Sequence, residues 1–148
     1  MKTLFRDVTH SDKECFLAMG QEFYSSSAVA HSIDADCFLR TFEEAVKNNP
    51  YLRALMIDVD NQIVGYVLLS FTYSNEAGGM VVLLEEVQVD KSQRGKGIGT
   101  ELLMFIEKEY PDAKRFRLEV TKSNLRAIEL YEKLGYERLD YVQMVKDV

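Results

Sequence analysis

The chain has 148 residues, with 24 Asp and Glu against 18 Lys and Arg and a net charge of −6. That length suits one domain with a two- or three-layer core, and the acidic balance argues against a general nucleic-acid binder. No stretch reaches the roughly 20 apolar residues that span a bilayer, and Met1 to Asp7 has no apolar signal core, so the sequence reads as soluble and cytoplasmic.

In chain order, Thr3 to Val8 reads as a first strand. Ser11-Asp12-Lys13-Glu14 has capping-box spacing and opens a helix through about Phe23. Ser25-Ser26-Ser27 interrupts it. Asp34 is placed to cap a second helix with Phe38, Phe42, Ala45 and Val46 on one face, and Asn48-Asn49-Pro50 stops it. Strands at Leu52 to Val59 and Ile63 to Thr72 follow, joined by an Asp60-Asn61 turn. A polar turn from Ser74 to Gly79 leads into a third strand that ends at Val89. A helix carrying Ile98, Leu102, Phe105 and Ile106 is closed by Tyr110-Pro111. Phe116, Leu118 and Val120 then alternate with Arg115, Arg117 and Glu119 as a short strand. Ser123 or Asn124 caps a last helix with Leu125, Ile128, Tyr131 and Leu134 along one side, and Gly135 ends it. The tail, Tyr136 to Val145, reads as one bent strand or two short ones.

A meander of three strands is antiparallel, whereas a strand–helix–strand unit is parallel and right-handed. The expected fold class is therefore α/β (α+β): one domain over residues 1–148, a mixed, mostly antiparallel sheet with helices on both faces.

The stretch Gln93-Arg94-Gly95-Lys96-Gly97-Ile98-Gly99-Thr100 lies between a strand and a helix. Glycines let backbone N–H groups converge on one ligand, and the first turn of the helix adds unpaired N–H groups and partial positive charge. Arg94 and Lys96 add full charges. The spacing of a nucleoside-triphosphate loop, G-x-x-x-x-G-K-[ST], is absent, and the glycines do not have dinucleotide spacing. The pyrophosphate of coenzyme A is a third candidate, beside the plain alternative of a basic helix cap.

Strand alternation puts Glu85 on the face of Leu83, Val87 and Val89, and Glu86 on that of Leu84 and Gln88. Two adjacent carboxylates in a covered strand carry a desolvation cost. They mark a strand end emerging into solvent, a salt bridge to an arginine such as Arg117, or a general base paired with an acidic acceptor pocket. Cys15 and Cys37, the only cysteines, and His10 and His31, the only histidines, lack metal-ligand spacing. No metal is expected, and both thiols read as reduced and partly buried.

Three segments together resemble the GNAT superfamily of acyl-CoA-dependent N-acetyltransferases. Arg94 to Gly99 matches its R/Q-x-x-G-x-G/A loop. Leu84-Glu85-Glu86-Val87-Gln88-Val89 looks like the L-E-D-x-x-V strand of diamine and polyamine acetyltransferases, with Glu86 replacing the Asp. Asn124 to Tyr136 resembles N-x-x-A-x-x-L-Y-x-x-x-G-F/Y. The resemblance implies the GNAT fold over the single domain. It also implies transfer of the acetyl group of acetyl-CoA to a primary amine of a small cationic acceptor, by direct attack in a ternary complex.

By the same resemblance Glu85 is the base and Tyr131 the acid that protonates the departing thiolate. Val87, Gln88, Val89, Arg94, Gly95, Lys96, Gly97, Ile98, Gly99, Thr100, Asn124 and Tyr131 hold acetyl-CoA. A bulge in the strand frees an N–H to polarise the thioester carbonyl, and such a bulge would undo the simple alternation of Glu85 and Glu86. Glu86, Tyr24 and His31 border the acceptor. Read by themselves, Tyr131 is also a plausible core aromatic and His31 an ordinary surface residue. A protein or peptide acetyltransferase and a non-catalytic acyl-CoA-binding module are the alternatives. The expected partners are a small amine and, optionally, a second copy in a homodimer, with neither nucleic acid nor membrane.

Overall fold

The computed structural model describes every residue except Ser27. Five strands form one sheet in sequential order: β1 (Thr3–Asp7), β2 (Leu52–Val59), β3 (Gln62–Ser74), β4 (Gly79–Val89) and β5 (Arg115–Leu118). The first three pairings are antiparallel and β4–β5 is parallel, as the meander and the crossover require. Helices α1 (Lys13–Tyr24) and α2 (Ala35–Val46) cover one face. Helices α3 (Ile98–Glu109) and α4 (Leu125–Lys133) belong to the other.

Each face has its own core. Phe16, Phe23 and Phe42 of the first helix pair pack on Met56, Tyr66 and Leu68. Ile98, Leu102, Leu103 and Ile106 of α3 pack on Leu55, Ile57, Val67, Leu69, Val82 and Leu84. Residues 67, 68 and 69 thus alternate between the two cores, as strand geometry dictates. The turn at Asp60-Asn61 has positive φ at both residues, 51° and 68°, which matches the twist of a two-residue hairpin.

Several local expectations are corrected. The cap before α1 is built earlier than Ser11–Glu14, on Thr9 and Asp12: a 3-10 turn at His10–Asp12 precedes the helix, and Asp12 accepts the Thr9 N–H at 2.8 Å. The Arg6 guanidinium donates to both Asp12 oxygens, at 2.8 and 2.9 Å, and holds that carboxyl down at about 2. The serine interruption after α1 is described only at Ser25 and Ser26, since Ser27 lies outside the described residues. Cys15 is exposed, not partly buried. The strand expected at Phe116 to Val120 is Arg115–Leu118, and all four residues are half-buried instead of alternating.

Asn124 is the cap of α4, accepting the Ala127 N–H at 3.3 Å. Leu125, expected on the apolar side, is exposed. The tail beyond Gly135 forms no strand, and Leu139, Tyr141, Val142, Met144 and Val145 stand in solvent. A strand needs a partner edge and a covered face before its propensity counts. No helix among the described residues is long and apolar enough to cross a membrane.

Candidate active site

The site begins with a register change. Leu68 pairs with Glu86 and Leu69 with Leu84, so Glu85 is an extra residue in β4. Such a bulge kinks its strand and re-aims side chains. It corrects the alternation drawn from sequence. Leu84 belongs to the α3 core and Val87 and Val89 pack against that same core. Glu86 instead reaches Tyr24 and Tyr66 on the α1–α2 side, and Glu85 reaches Ser70. Ser70 lies opposite Leu83 and two residues from Leu68, which is in the α1–α2 core. Both carboxylates therefore point to the α1–α2 face, where regular alternation would have separated them.

The bulge also marks where the sheet opens. The β4–β5 pairing runs from Val81–Arg115 to Leu84–Leu118 and then stops. Glu86 to Val89 keep their partner on β3 alone. The Asp90 N–H donates to the Val64 carbonyl at 2.8 Å. Backbone groups alternate in direction along an antiparallel strand, so those of Gln88 turn to β3 and those of Val87 and Val89 turn toward the opening. The Arg94 Nε bond to the Val89 carbonyl, 2.9 Å, agrees with that direction. Gly65 allows the close approach on the other side: a Cβ there would lie 2.0 Å from the Gln88 carbonyl oxygen.

The glycine loop follows at the open end. Gly95 and Gly97 have φ of 78° and 87°, a region that other residues rarely adopt. Gly97 is the N-cap of α3, and a Cβ built on it meets nothing within 4 Å. The N–H groups of Ile98, Gly99 and Thr100 have no partner within the helix by their position in its first turn. Lys96 is held by Gln93 Oε1 at 3.2 Å. Helix α4 packs against this loop: Leu130 Cδ2 lies 3.1 Å, and Arg126 Nη2 3.0 Å, from where a Cβ on Gly99 and on Gly95 would stand. Arg126 is thus a third cation at the loop, which sequence reading missed. Its signal was available, two residues past the Asn124 cap. Three cations, orphan N–H groups and an open glycine backbone fit a pyrophosphate.

The two carboxylates differ in setting. Glu85 is exposed and accepts the Ser70 hydroxyl at 2.8 Å, with no link to Arg117. Glu86 is half-buried, with the Tyr66 hydroxyl donating to Oε1 at 2.7 Å and the Tyr24 hydroxyl to Oε2. Burial is the largest influence on its carboxyl and pushes it above the usual range, against the two phenol donors. Tyr66, 1% exposed, is a second residue that sequence reading missed, because on β3 it looks like a core aromatic.

Of the remaining expected residues, Tyr24 joins Glu86, while His31 is exposed in the α1–α2 connection. No hydrogen bond or ion pair among the described residues ties His31 to either carboxylate. The Gln88 side chain is buried, and its Nε2 has no partner among the described residues. Tyr131 is half-buried against the α3 core, 5.9 Å from the Tyr136 ring, and burial raises its phenol. A cavity of about 1120 Å³ runs between β5, α4 and the tail, with Tyr131 in its wall but neither carboxylate nor the glycine loop. Among the described residues no group of three or more His, Cys, Asp or Glu could hold a metal ion.

Comparison with known proteins adds to this geometry. The thialysine N-epsilon-acetyltransferase of Mus musculus is 28% identical over 152 residues, covering 93% of this chain and 85% of its own. A possible acetyltransferase from Clostridium difficile 630 superposes with a TM-score of 0.82 at 20% identity, over 100% of this chain and 99% of that one. AAC(6')-Iy, solved with the bisubstrate analog CoA-S-monomethyl-acetylneamine, gives 0.80 at 17% identity, over 100% and 99%. The model of the acetyltransferase (GNAT) family matches residues 10–136, so this chain belongs to that family and is an acetyl-CoA-dependent N-acetyltransferase.

Proposed function

We propose that the protein moves the acetyl group of acetyl-CoA to a primary amine of a small cationic acceptor, by direct attack in a ternary complex. The observation that carries this reading is the bulge at Glu85. It opens the sheet toward the glycine loop and brings two carboxylates to one face. Thialysine and neamine, named for the relatives, are both amines.

Acetyl-CoA supplies a thioester whose thiol, with a pKa of about 8.5, is a fair leaving group. Arg94 to Thr100, with Arg126, bind its pyrophosphate, and Asn124 borders the pantetheine arm. The Val87 N–H faces the opening and steadies the carbonyl oxygen as charge grows there. An alkyl ammonium has a pKa of about 10.4 and arrives protonated. Glu85, at the exposed rim, takes a proton from its nitrogen and releases it to water. Tyr131, kept protonated by burial, donates to the departing sulfur. Glu86 and Tyr24 form the acceptor wall, with His31 at its outer edge.

The test is thiol release from acetyl-CoA with thialysine, linear diamines, neamine, amino acids and a lysine peptide. Turnover with the diamines or thialysine at lower KM than with the peptide is expected. Preference for the peptide would make this a protein acetyltransferase. Coenzyme A binding without turnover of any amine would make it a binding module.

A further inference from the structure

The acceptor nitrogen loses two protons in the reaction just proposed, and the site holds two differently built carboxylates. An ammonium carries three N–H bonds and a secondary amide one. The first proton leaves before attack, to free the lone pair. The second leaves after the C–N bond has formed. Glu85 accounts for one of them, and it is exposed.

Glu86 has a different environment. Each of its oxygens accepts one phenol, Tyr66 on Oε1 and Tyr24 on Oε2. The phenols sit in an aromatic wall. Tyr66 lies 5.0 Å from Phe16 and 6.4 Å from Phe23, and Tyr24 lies 5.2 Å from Phe23 and 5.3 Å from Phe38. Such a wall covers part of the carboxylate, which is half-buried. Tyr24, half-buried at the end of α1, keeps a partly exposed side, while Tyr66 is closed in. A proton therefore reaches Glu86 most directly through the Tyr24 hydroxyl.

We propose that Tyr24 and Glu86 form a second proton-accepting station for the acceptor nitrogen, with Tyr24 as the relay and Tyr66 as the positioning residue. The inference rests on the amine-acetylation reading above. In this step an N–H bond of the acceptor breaks and a new O–H bond forms on Tyr24. The proton that Tyr24 carried moves to Glu86 Oε2. Tyr24 is neutral before and after, no phenolate is needed, and Glu86 ends as the neutral acid. The return path runs over the same two bonds once the amide has left. Tyr66 holds Oε1 so that Oε2 stays aligned with Tyr24.

The chemistry suits this placement. Burial makes Glu86 a better proton acceptor than a surface carboxylate. The titratable groups around this pair are Tyr24 from α1, Tyr66 from β3, Glu85 on β4 and Cys37 from α2. None of these groups around the half-buried charge is cationic. Protonating Glu86 relieves its repulsion with Glu85.

The test is the pH dependence of kcat with the best amine of the panel. The wild type should lose activity toward acid pH through two ionisations, since both carboxylates must start unprotonated. Tyr24→Phe keeps the ring stacked on Phe23 and Phe38. It should lower kcat about 10²-fold, leave KM for the amine little changed and reduce the acid limb to one ionisation. Glu86→Gln should likewise lower kcat and reduce the acid limb to one ionisation, with a rise in KM for a cationic amine added to it. Wild-type kcat in Tyr24→Phe with an unchanged acid limb would overturn the proposal. So would an effect confined to KM, which marks a binding contact alone.

An infrared titration of the carboxyl band without acceptor keeps the two readings separable. The Glu86 band, identified by its loss in Glu86→Gln, should titrate at higher pH in Tyr24→Phe, because a donor to the charged form is gone. An unmoved band would refute the Tyr24–Glu86 station even if no amine were turned over. Failure of every amine alongside a shifted band would refute the acetylation reading instead.

Discussion

Strand β4 has two halves that differ in what they face. Val81 to Leu84 is paired on both sides, and its Val81, Val82 and Leu84 are buried. Beyond the bulge at Glu85, Glu86 to Val89 is paired only with β3; Glu85 and Glu86 lie on the α1–α2 face, and the backbone edge of Val87 and Val89 is open to the cleft. One inserted residue separates the two halves. In the closed half side chains are chosen for volume. In the open half two of them carry charge, and the backbone edge is left without a second strand. The lesson is that a bulge can convert a structural strand into a catalytic one without changing its direction.

The sharpest way to break this comparison is to exchange the consequences of the two halves. Glu85→Gln should lower kcat by about 10²–10⁴-fold, the usual range for an acid–base group, with the melting temperature and acetyl-CoA affinity nearly unchanged. Steady-state kinetics and thermal melting on one preparation check it. Leu84→Ala, one residue earlier, should do the reverse. Loss of a buried leucine costs about 2–5 kcal/mol, read from denaturant unfolding, while kcat per folded molecule stays near wild type. A stable Leu84→Ala protein with little activity would mean that the boundary between the halves is misplaced.

The glycine loop offers a smaller effect. Acetyl-CoA at about 100 times its Kd should stabilise the fold by about 2.7 kcal/mol. Gly97→Val forces a β-branched residue to φ 87° at the α3 cap and should remove that stabilisation. An unchanged melting shift in this variant would detach the loop from the cofactor.

What was legible in the sequence follows the same division. The meander, the glycine loop and the Asn124 helix could be read because each rests on local signals: turn residues, periodicity and caps. The faces of Glu85 and Glu86 could not, because alternation assumes a regular strand and Glu85 is itself the bulge. Tyr66 and Arg126 were passed over because their importance comes from partners 20 residues away on β4 and at the neighbouring loop. The tail shows the opposite failure. Leu139, Tyr141 and Val145 look like strand residues, yet their propensity has no edge to pair with in this structure. Local sequence specifies elements, whereas this site is made by registry between them.

The smallest expected effect on the fold is that of Tyr131→Phe. The ring keeps its packing against the α3 core and Tyr136, so stability should stay within about 1 kcal/mol. Turnover should fall, and the basic limb of the pH–rate profile should change shape as the acid is lost. A stable variant with wild-type kcat would leave solvent to protonate the thiolate and reduce Tyr131 to a core aromatic.

The central claim is that the open half of β4 and the glycine loop form one acetyl-CoA site. A crystal structure of the protein with acetyl-CoA tests it most directly. The account predicts the pyrophosphate on Gly95 to Thr100 beside Arg126, the carbonyl oxygen at the Val87 N–H and the sulfur within reach of the Tyr131 hydroxyl. Acetyl-CoA lodged instead in the cavity between β5, α4 and the tail, with the glycine loop untouched, would contradict it.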